Sequence, residues 1–333
     1  MDFTQTTRVA TTSDDRIWCG IASIERIQSG RLLCVFYTGG PKEPAPDNRV
    51  VLCWSDDSGE TWTGPITIAE KPGTLACVDP CIWLDPRRRL VVQYTVCSHD
   101  FSEPLSVRET LRCDDPDAGE PRFERLGVCC PELGFVFPLN RPTLLGDGRL
   151  LLPMITLQDP VEPGQRYFGR PHKLACAISD DGGESWRPSA RVAAPDGSSS
   201  ENMIVELRDG RLWMLARSRT GHLWQTFSKD RGETWGPVTE SEITDASARF
   251  FIGRLASGRL MLINNPGPGR DPMTVSLSED EGATWPQSTV LMSGATIAYP
   301  DAVQDPDGII HCVVDVDRRH IEYLAFREDA IIP

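Results

Sequence analysis

The chain has 333 residues, 40% of them hydrophobic, and a formal net charge of −14 at pH 7. This length exceeds the usual size of a single core and predicts either two domains or one large closed repeat architecture. The negative charge argues against nucleic acid and anionic membrane surfaces as partners, because both require a basic face. No run approaches the roughly 18 apolar residues of a membrane span.

The N-terminal segment MDFTQTTRVA has neither a basic nor an apolar signal region. We therefore expect a cytoplasmic protein, or a secreted one if a signal has been trimmed from the sequence as given. The eleven cysteines include several inside apolar runs that resemble strands, namely Cys34, Cys53, Cys97, Cys176 and Cys312. These predict reduced core thiols rather than disulfides. Cysteine and histidine pairs at zinc-ligand spacing are absent, so no metal site is predicted.

An eight-residue motif of the form S-x-D-x-G-x-[TS]-W occurs four times. The copies SDDSGETW, SDDGGESW, SKDRGETW and SEDEGATW begin at Ser55, Ser179, Ser228 and Ser278. Each follows an apolar run and precedes another, which places it in a hairpin turn. Ser and Asp can bond the turn backbone, Gly takes a positive φ, and Trp can pack between neighbouring sheets. We interpret the aspartates of this motif as structural.

A second repeat places a tight-turn pair before an apolar run. Its six reference positions lie 48 to 62 residues apart and are Gly30, Arg88, Gly148, Gly210, Gly258 and Gly308. This period predicts one antiparallel sheet per repeat and a single all-β domain, a six-bladed β-propeller of four-stranded sheets. The predicted blades span 13–72, 73–128, 129–195, 196–242, 243–293, and 294–333 together with 1–12.

The sixth repeat ends soon after its third strand, HIEYLAF. The N-terminal segment TRVAT resembles ARVAA, the fourth strand of the third repeat, and is predicted to complete the sixth sheet. Closure of this kind removes an open edge strand. The largest insertion, residues 157–173, is rich in Pro and Gly and is predicted to overhang a site at one end of the propeller.

First strands line the axis of a propeller, so their starting residues should converge at one mouth. Counting back nine residues from each reference position gives Ile21, Asp79, Leu139, Glu201, Arg249 and Tyr299. Second strands should end near Arg217, and third strands should begin near Asp47 and Arg270. The prediction is a mouth that gathers carboxylates, arginines and a tyrosine.

That set of side chains has a chemical meaning. Paired arginines in an acidic protein suggest recognition of a carboxylate by planar guanidinium groups. A tyrosine beside a glutamate can act as a nucleophile when the carboxylate accepts the phenol proton, and a separate acid can protonate a leaving group. Glycosidases that use tyrosine in this way act on sugars with an anomeric carboxylate, which a carboxylate nucleophile would repel.

The chain resembles the sialidase (neuraminidase) superfamily over essentially its whole length. In ENMIVELRDGRLWMLAR, Glu201 and Arg217 match the family's general-base glutamate and second carboxylate-binding arginine. Arg270 in NNPGPGRDP matches the third arginine, Tyr299 in AYPDAVQDPDG matches the nucleophile, and Asp47 in PAPDNRVV matches the acid/base aspartate. The resemblance implies a six-bladed propeller without a cofactor. It also implies a retaining exo-glycosidase that releases sialic acid or a related 2-keto-3-deoxy acid from an acidic glycan through a tyrosyl-linked intermediate.

The sequence departs from the family where the first arginine of the triad is expected, in a Y-R-I-P segment. The segment here is WCGIAS, with Gly20 at the arginine's place. Arg249, Arg141 and Arg16 are candidate substitutes, and the register of the strand starts favours Arg249. Asp79 is a further candidate substrate contact.

Two other functions remain open from the sequence. One is a polysaccharide lyase in which Tyr299 or a histidine removes the proton next to a uronate carboxylate. The other is a glycan-binding propeller without catalysis, left after loss of the first arginine. Nothing in the sequence predicts an oligomeric state.

Overall fold

The computed structural model describes residues 5–14, 16–100, 103, 105–137, 140–165, 170–197 and 200–331. Leu139, one of the predicted strand starts, and residues 166–169 of the insertion lie outside the described residues. The described chain forms short strands that are joined into six antiparallel sheets. The sheets stand in a ring as the blades of a β-propeller, which confirms the predicted fold class.

The N-terminal strand is β1 (Gln5–Thr11). Blade one contains β2 (Cys19–Arg26), β3 (Leu32–Thr38), β4 (Arg49–Ser55) and β5 (Ile66–Ala69). Blade two contains β6 (Leu75–Leu84), β7 (Leu90–Ser98), β8 (Ser106–Cys113) and β9 (Glu124–Val128). Blade three contains β10 (Thr143–Leu144), β11 (Leu150–Leu157), β12 (His172–Ser179), β13 (Arg187–Pro188) and β14 (Val192–Ala193). Its outer strand is in two pieces, because β13 and β14 both pair with β12.

Blade four contains β15 (Ser200–Glu206), β16 (Leu212–Arg217), β17 (His222–Ser228) and β18 (Thr239–Thr244). Blade five contains β19 (Phe251–Arg254), β20 (Leu260–Asn264), β21 (Met273–Ser278) and β22 (Gln287–Met292). Blade six contains β23 (Ile297–Gln304), β24 (Ile309–Val316) and β25 (His320–Arg327). Two single-turn 3-10 helices are present at Pro131–Leu133 and Glu328–Ala330. β18 extends to Thr244, past the predicted end of the fourth blade at residue 242.

Strand β1 completes blade six by pairing antiparallel with β25. The pairing runs from Gln5 opposite Ala325 to Thr11 opposite His320. The first and last parts of the chain therefore share one sheet, and the predicted closure by the N-terminal strand is confirmed. This arrangement leaves no unpaired edge on the third strand of that blade.

The four repeated motifs each form the turn after the third strand of a blade. In the first copy the Ser55 hydroxyl donates to Asp57 Oδ1 at 2.7 Å and accepts the Gly59 N–H at 2.8 Å. Asp57 also accepts the Thr61 N–H at 2.9 Å, and the hydrogen bonds from Thr61 and Ser55 lower the pKa of Asp57 to about 2. These contacts account for the fixed letters of the motif as turn chemistry.

The motif glycines and tryptophans also join neighbouring blades. A Cβ built on Gly59 of blade one would lie 2.3 Å from the Tyr323 ring of blade six. The other three motif glycines, Gly183, Gly232 and Gly282, likewise face a large side chain of the preceding blade. The ring of Trp62 packs edge-on against Tyr323 at 5.4 Å between centroids. Each motif thus closes its own hairpin and contacts the blade before it.

The core runs around the ring between the sheets, and all eleven cysteines are buried there. Second strands are almost fully buried, as the burial of β3, β7 and β11 shows. In the described parts of the chain, no helix has the length and apolar character needed to cross a membrane.

Candidate active site

A cavity of about 780 Å³ opens at one end of the propeller axis. All six blades contribute to its lining, including Tyr37 and Glu43 from blade one, Asp79 from blade two, Ile155 and His172 from blade three, Glu201 and Arg217 from blade four, Ser247 and Arg270 from blade five, and Tyr299 and Arg318 from blade six. Arg170 and Pro171, in the described part of the insertion, also line it.

Backbone bulges aim four of the predicted residues into this cavity. Ile21, Asp79, Glu201 and Tyr299 have φ values of 53°, 54°, 48° and 55°. In each case the pairing with the second strand shifts register at the same point. A non-glycine residue in the left-handed region costs free energy, and such conformations concentrate at functional sites. The count of nine residues therefore located these four positions correctly.

Blade five is different, because its left-handed residue is Ser247, with φ 58°. Ser247 lines the cavity, whereas the predicted residue, Arg249, does not. Ser247 lies two residues further from Gly258 than the repeat count placed the strand start, and β19 pairs with β20 only from Phe251 onward, without a register shift.

Tyr299, Glu201 and Arg217 form the centre of the site. The Tyr299 hydroxyl donates to Glu201 Oε1 at 3.3 Å, and Arg217 Nη1 donates to the same oxygen at 2.8 Å. Arg217 Nε also donates to the Ser247 hydroxyl at 3.3 Å. Glu201 and Tyr299 are buried, and Glu201 Oε2 has no hydrogen-bond partner among the described residues. This oxygen can therefore accept a further hydrogen bond.

The groups around Tyr299 shift the pKa of its phenol in opposite directions. Burial and the charge of Glu201 raise the pKa of Tyr299, whereas Arg217 and Arg318 lower it. The phenol is consequently protonated at rest, with a carboxylate within reach of its proton. The guanidinium carbons of Arg270 and Arg318 lie 5.2 Å and 4.3 Å from the centroid of the Tyr299 ring.

Arg249 and Arg141, both expected to contact substrate, lie outside the cavity lining. Arg249 is 1% exposed and lies under the site, where its Nη2 donates to the carbonyls of Ala22, Tyr299 and Pro300 at 3.0 to 3.1 Å. Its structural role is to hold the backbone that carries the nucleophile candidate. The prediction that Arg249 replaces the missing arginine is therefore wrong in its geometry.

Arg141 is part of a separate polar cluster. Its Nη2 donates to Asp301 Oδ2 at 3.1 Å, and its Nη1 donates to Glu25 Oε2 at 3.3 Å. Asp301 in turn accepts the Ser23 hydroxyl at 2.6 Å, so the cluster joins blades three, six and one. Arg16, the third candidate substitute, pairs through its backbone with Ser13 and is also absent from the lining.

The loop between β3 and β4 presents a different carboxylate from the one expected. Asp47 is exposed and does not line the cavity, whereas Glu43, four residues earlier, does. Glu43 accepts a hydrogen bond from the Tyr37 hydroxyl, and its Oε1 lies 3.6 Å from Arg318 Nη2. The sequence predicted an acidic residue in this loop. It did not predict which acid faces the cavity, because no repeat position lies in the loop.

Asp79 lies in the cavity, as expected. Burial, together with the charges of Glu43 and Glu201, raises the pKa of Asp79 well above its usual value. The raised pKa favours the protonated carboxyl, which can donate a hydrogen bond. The described residues contain no group of three or more His, Cys, Asp or Glu side chains arranged to hold a metal ion.

Arg318, like Glu43 and Ser247, is a cavity residue that sequence reasoning missed. It follows β24 in the turn that leads to β25, a position that neither repeat marks. Its partner is Asp315, near the end of β24, whose Oδ2 accepts a hydrogen bond from Arg318 Nη1 at 2.8 Å.

Comparisons with known proteins agree with this architecture. A sialidase of Micromonospora viridifaciens is 32% identical over 143 residues, covering 39% of this chain and 22% of that protein. A sialidase of Vibrio cholerae is 29% identical over 213 residues, covering 54% of this chain and 26% of that protein. The matches thus span about a quarter of these relatives' length or less.

Solved structures share the fold at low sequence identity. A protein of unknown function from Dyadobacter fermentans has a TM-score of 0.78 at 18% identity, covering 97% of this chain and 98% of that one. An intramolecular trans-sialidase from Ruminococcus gnavus has a TM-score of 0.73 at 14% identity, covering 97% and 96%. The family model for the BNR repeat-like domain matches residues 30–312. Because that match includes most of the propeller, the chain belongs to the BNR repeat-like family.

Proposed function

We propose that the protein is a retaining exo-glycosidase that removes a terminal carboxylated sugar, sialic acid or a related 2-keto-3-deoxy acid, through a tyrosyl-linked intermediate. The observation that carries this proposal is the hydrogen-bonded set Tyr299, Glu201 and Arg217 in a cavity lined by arginines. The similarity to the sialidases of Micromonospora viridifaciens and Vibrio cholerae supports the same reaction class.

In this proposal the sugar carboxylate binds the guanidinium groups of Arg217 and Arg270. Glu201 accepts the phenol proton as the Tyr299 oxygen attacks the anomeric carbon and the glycosidic bond breaks. A neutral phenol next to an anionic substrate avoids the repulsion that a carboxylate nucleophile would meet. The positive charges around the ring stabilise the phenolate as it forms.

Protonation of the leaving oxygen needs an acid at the open side of the cavity. Glu43 suits this role because it is in the loop between β3 and β4 and its side chain is 37% exposed. In the second half of the reaction, Glu43 takes a proton from water as the water oxygen attacks the anomeric carbon. The bond from that carbon to Tyr299 breaks, and Glu201 returns its proton to the phenolate oxygen. The carboxyl of Asp79, whose raised pKa favours the protonated form, donates a hydrogen bond to the bound sugar.

A lyase reaction is less well supported. It needs a base that removes a proton next to a uronate carboxylate, and His172 is one histidine in the cavity. Burial lowers the pKa of His172 to about 4, which makes the imidazole a weak base at neutral pH.

The test is hydrolysis of fluorogenic glycosides of sialic acid, its deaminated relative, 2-keto-3-deoxyoctulosonate and hexuronic acids. We expect release from at least one of the 2-keto-3-deoxy acids and a fall of about three orders of magnitude or more in Tyr299→Phe. Unchanged activity in that variant would exclude Tyr299 as the nucleophile. An unsaturated product absorbing in the near ultraviolet would indicate the lyase, and binding without turnover would indicate a glycan-binding propeller.

A further inference from the structure

Gly20 stands at the place of the missing arginine, and its surroundings explain why it is glycine. A Cβ built there would lie 2.8 Å from Arg318 Nη1 and 2.9 Å from Asp315 Oδ2. Contacts this short essentially never occur for real Cβ atoms. The φ of Gly20 is outside the left-handed region, so its backbone does not require glycine. The requirement is the space that the Arg318 and Asp315 pair occupies.

Arg318 is held firmly in that space. The turn between β24 and β25 carries two left-handed residues, Asp317 with φ 55° and Arg318 with φ 56°. From this turn Arg318 Nη1 donates to Asp315 Oδ2 at 2.8 Å, and the same oxygen accepts the Ile21 N–H at 3.0 Å. The guanidinium carbon also lies 5.3 Å from the centroid of the Trp18 ring.

The remaining contacts of Arg318 direct it to the reacting centre. It lines the cavity and lies closer to the Tyr299 ring centroid than Arg270 does, at 4.3 Å against 5.2 Å. Its Nη2 is 3.6 Å from Glu43, beyond hydrogen-bond distance. A guanidinium has five N–H donors, and the pairing with Asp315 leaves enough of them to bind a carboxylate in planar fashion.

We propose that Arg318 supplies the third guanidinium of the substrate carboxylate site from blade six, and that Gly20 of blade one is the residue that makes room for it. This inference rests on the proposed function for the identity of the ligand. The guanidinium thus comes from the turn after β24 in blade six, and not from the start of β2 in blade one. Arg318 therefore determines specificity for acidic sugars in place of the residue that the family pattern expects.

The experiment measures binding, so it does not depend on turnover. The probes are the 2,3-unsaturated derivatives of sialic acid and of 2-keto-3-deoxyoctulosonate, each as the free acid and as its methyl ester. The variants are Arg318→Ala, Arg318→Lys and Gly20→Ala. Gly64→Ala is the matched control, because a methyl added at Gly64 meets nothing within 4 Å. Calorimetry gives Kd, and thermal unfolding checks that each variant is folded.

For the free acid that binds wild type more tightly, we expect a roughly 10- to 100-fold weaker Kd in Arg318→Ala, since a hydrogen bond to a charged group is lost. Gly20→Ala should show a loss of the same sign, Arg318→Lys a smaller loss, and Gly64→Ala no change. The methyl ester should bind all variants about equally.

Equal losses for acid and ester, or no loss in Arg318→Ala, would overturn the inference while wild-type hydrolysis could still stand. The free acid could bind Arg318→Ala more weakly than wild type while wild type hydrolyses no glycoside. That result would support the inference and contradict the proposed reaction. If neither free acid binds wild type, both the inference and the proposed function are overturned.

Discussion

Glu43 and Asp47 allow a direct comparison of two carboxylates in one loop. Only Glu43 lines the cavity, so Glu43→Gln should lower kcat/KM by about 10²- to 10⁴-fold for substrates with poor leaving groups. The loss should shrink for activated aryl glycosides, which leave without protonation. Asp47→Asn is the matched control and should retain activity with both substrate types. A large loss in Asp47→Asn with an active Glu43→Gln would reverse the assignment.

Asp79 gives a prediction about pH. Its pKa is raised by burial and by its acidic neighbours, so the folded protein keeps this carboxyl protonated above the ordinary range of aspartate. As the pH rises through that raised pKa, a negative charge forms beside the bound anion, and KM for an acidic substrate should increase. The Asp79→Asn variant cannot ionise and should lose this alkaline increase in KM. An identical KM profile in wild type and variant would contradict the expectation.

At the scale of the element, a turn glycine can contribute to stability in two ways, through its left-handed backbone and through close packing against the preceding blade. Gly59 and Gly210 both have positive φ, 88° and 82°, but only a methyl on Gly59 would overlap a side chain, that of Tyr323. Alanine at either position should cost about 1–2 kcal/mol of unfolding free energy for the backbone conformation. Gly59→Ala should cost about 1–3 kcal/mol more because of the overlap.

Denaturant unfolding of the two glycine variants measures this difference. Equal destabilisation would mean that Tyr323 moves aside at no cost, and that the turn does not couple blade one to blade six. Activity measured below the transition should be similar in both folded variants, because neither glycine lines the cavity.

Elements with strong local chemistry were predictable from the sequence, and long-range packing was not. The turn motifs and reference positions identified the sheets because Ser, Asp and Gly act within a few residues of each other. The count of nine residues found Glu201 and Tyr299 because, in blades where the first strand shifts register against the second, the left-handed residue lies at a fixed distance from the turn. It failed at Arg249 because blade five lacks the register shift of blades one, two, four and six, and its left-handed residue, Ser247, lies two residues further from the turn. It could not find Arg318, whose relation to Gly20 crosses from one blade to the next.

At the scale of the whole molecule, the ring depends on the pairing of β1 with β25. The Thr7 hydroxyl also donates to the Gly59 carbonyl at 2.6 Å, so β1 contacts blade one as well as blade six. Deletion of residues 1–11 should lower Tm and promote association, because the edge of β25 becomes exposed. Thermal unfolding and light scattering test this, and an unchanged Tm with a monomeric variant would show that closure contributes little.

The central claim is that Tyr299 forms the covalent bond to the sugar. The most direct measurement is mass spectrometry of the protein after incubation with a 2,3-difluoro derivative of sialic acid. In this reagent, fluoride at C2 leaves without an acid and fluorine at C3 slows the release of the intermediate. We predict one added sugar on the peptide that contains Tyr299, and none in Tyr299→Phe. An adduct on Glu201 or Glu43, or hydrolysis of the reagent without any adduct, would contradict the account.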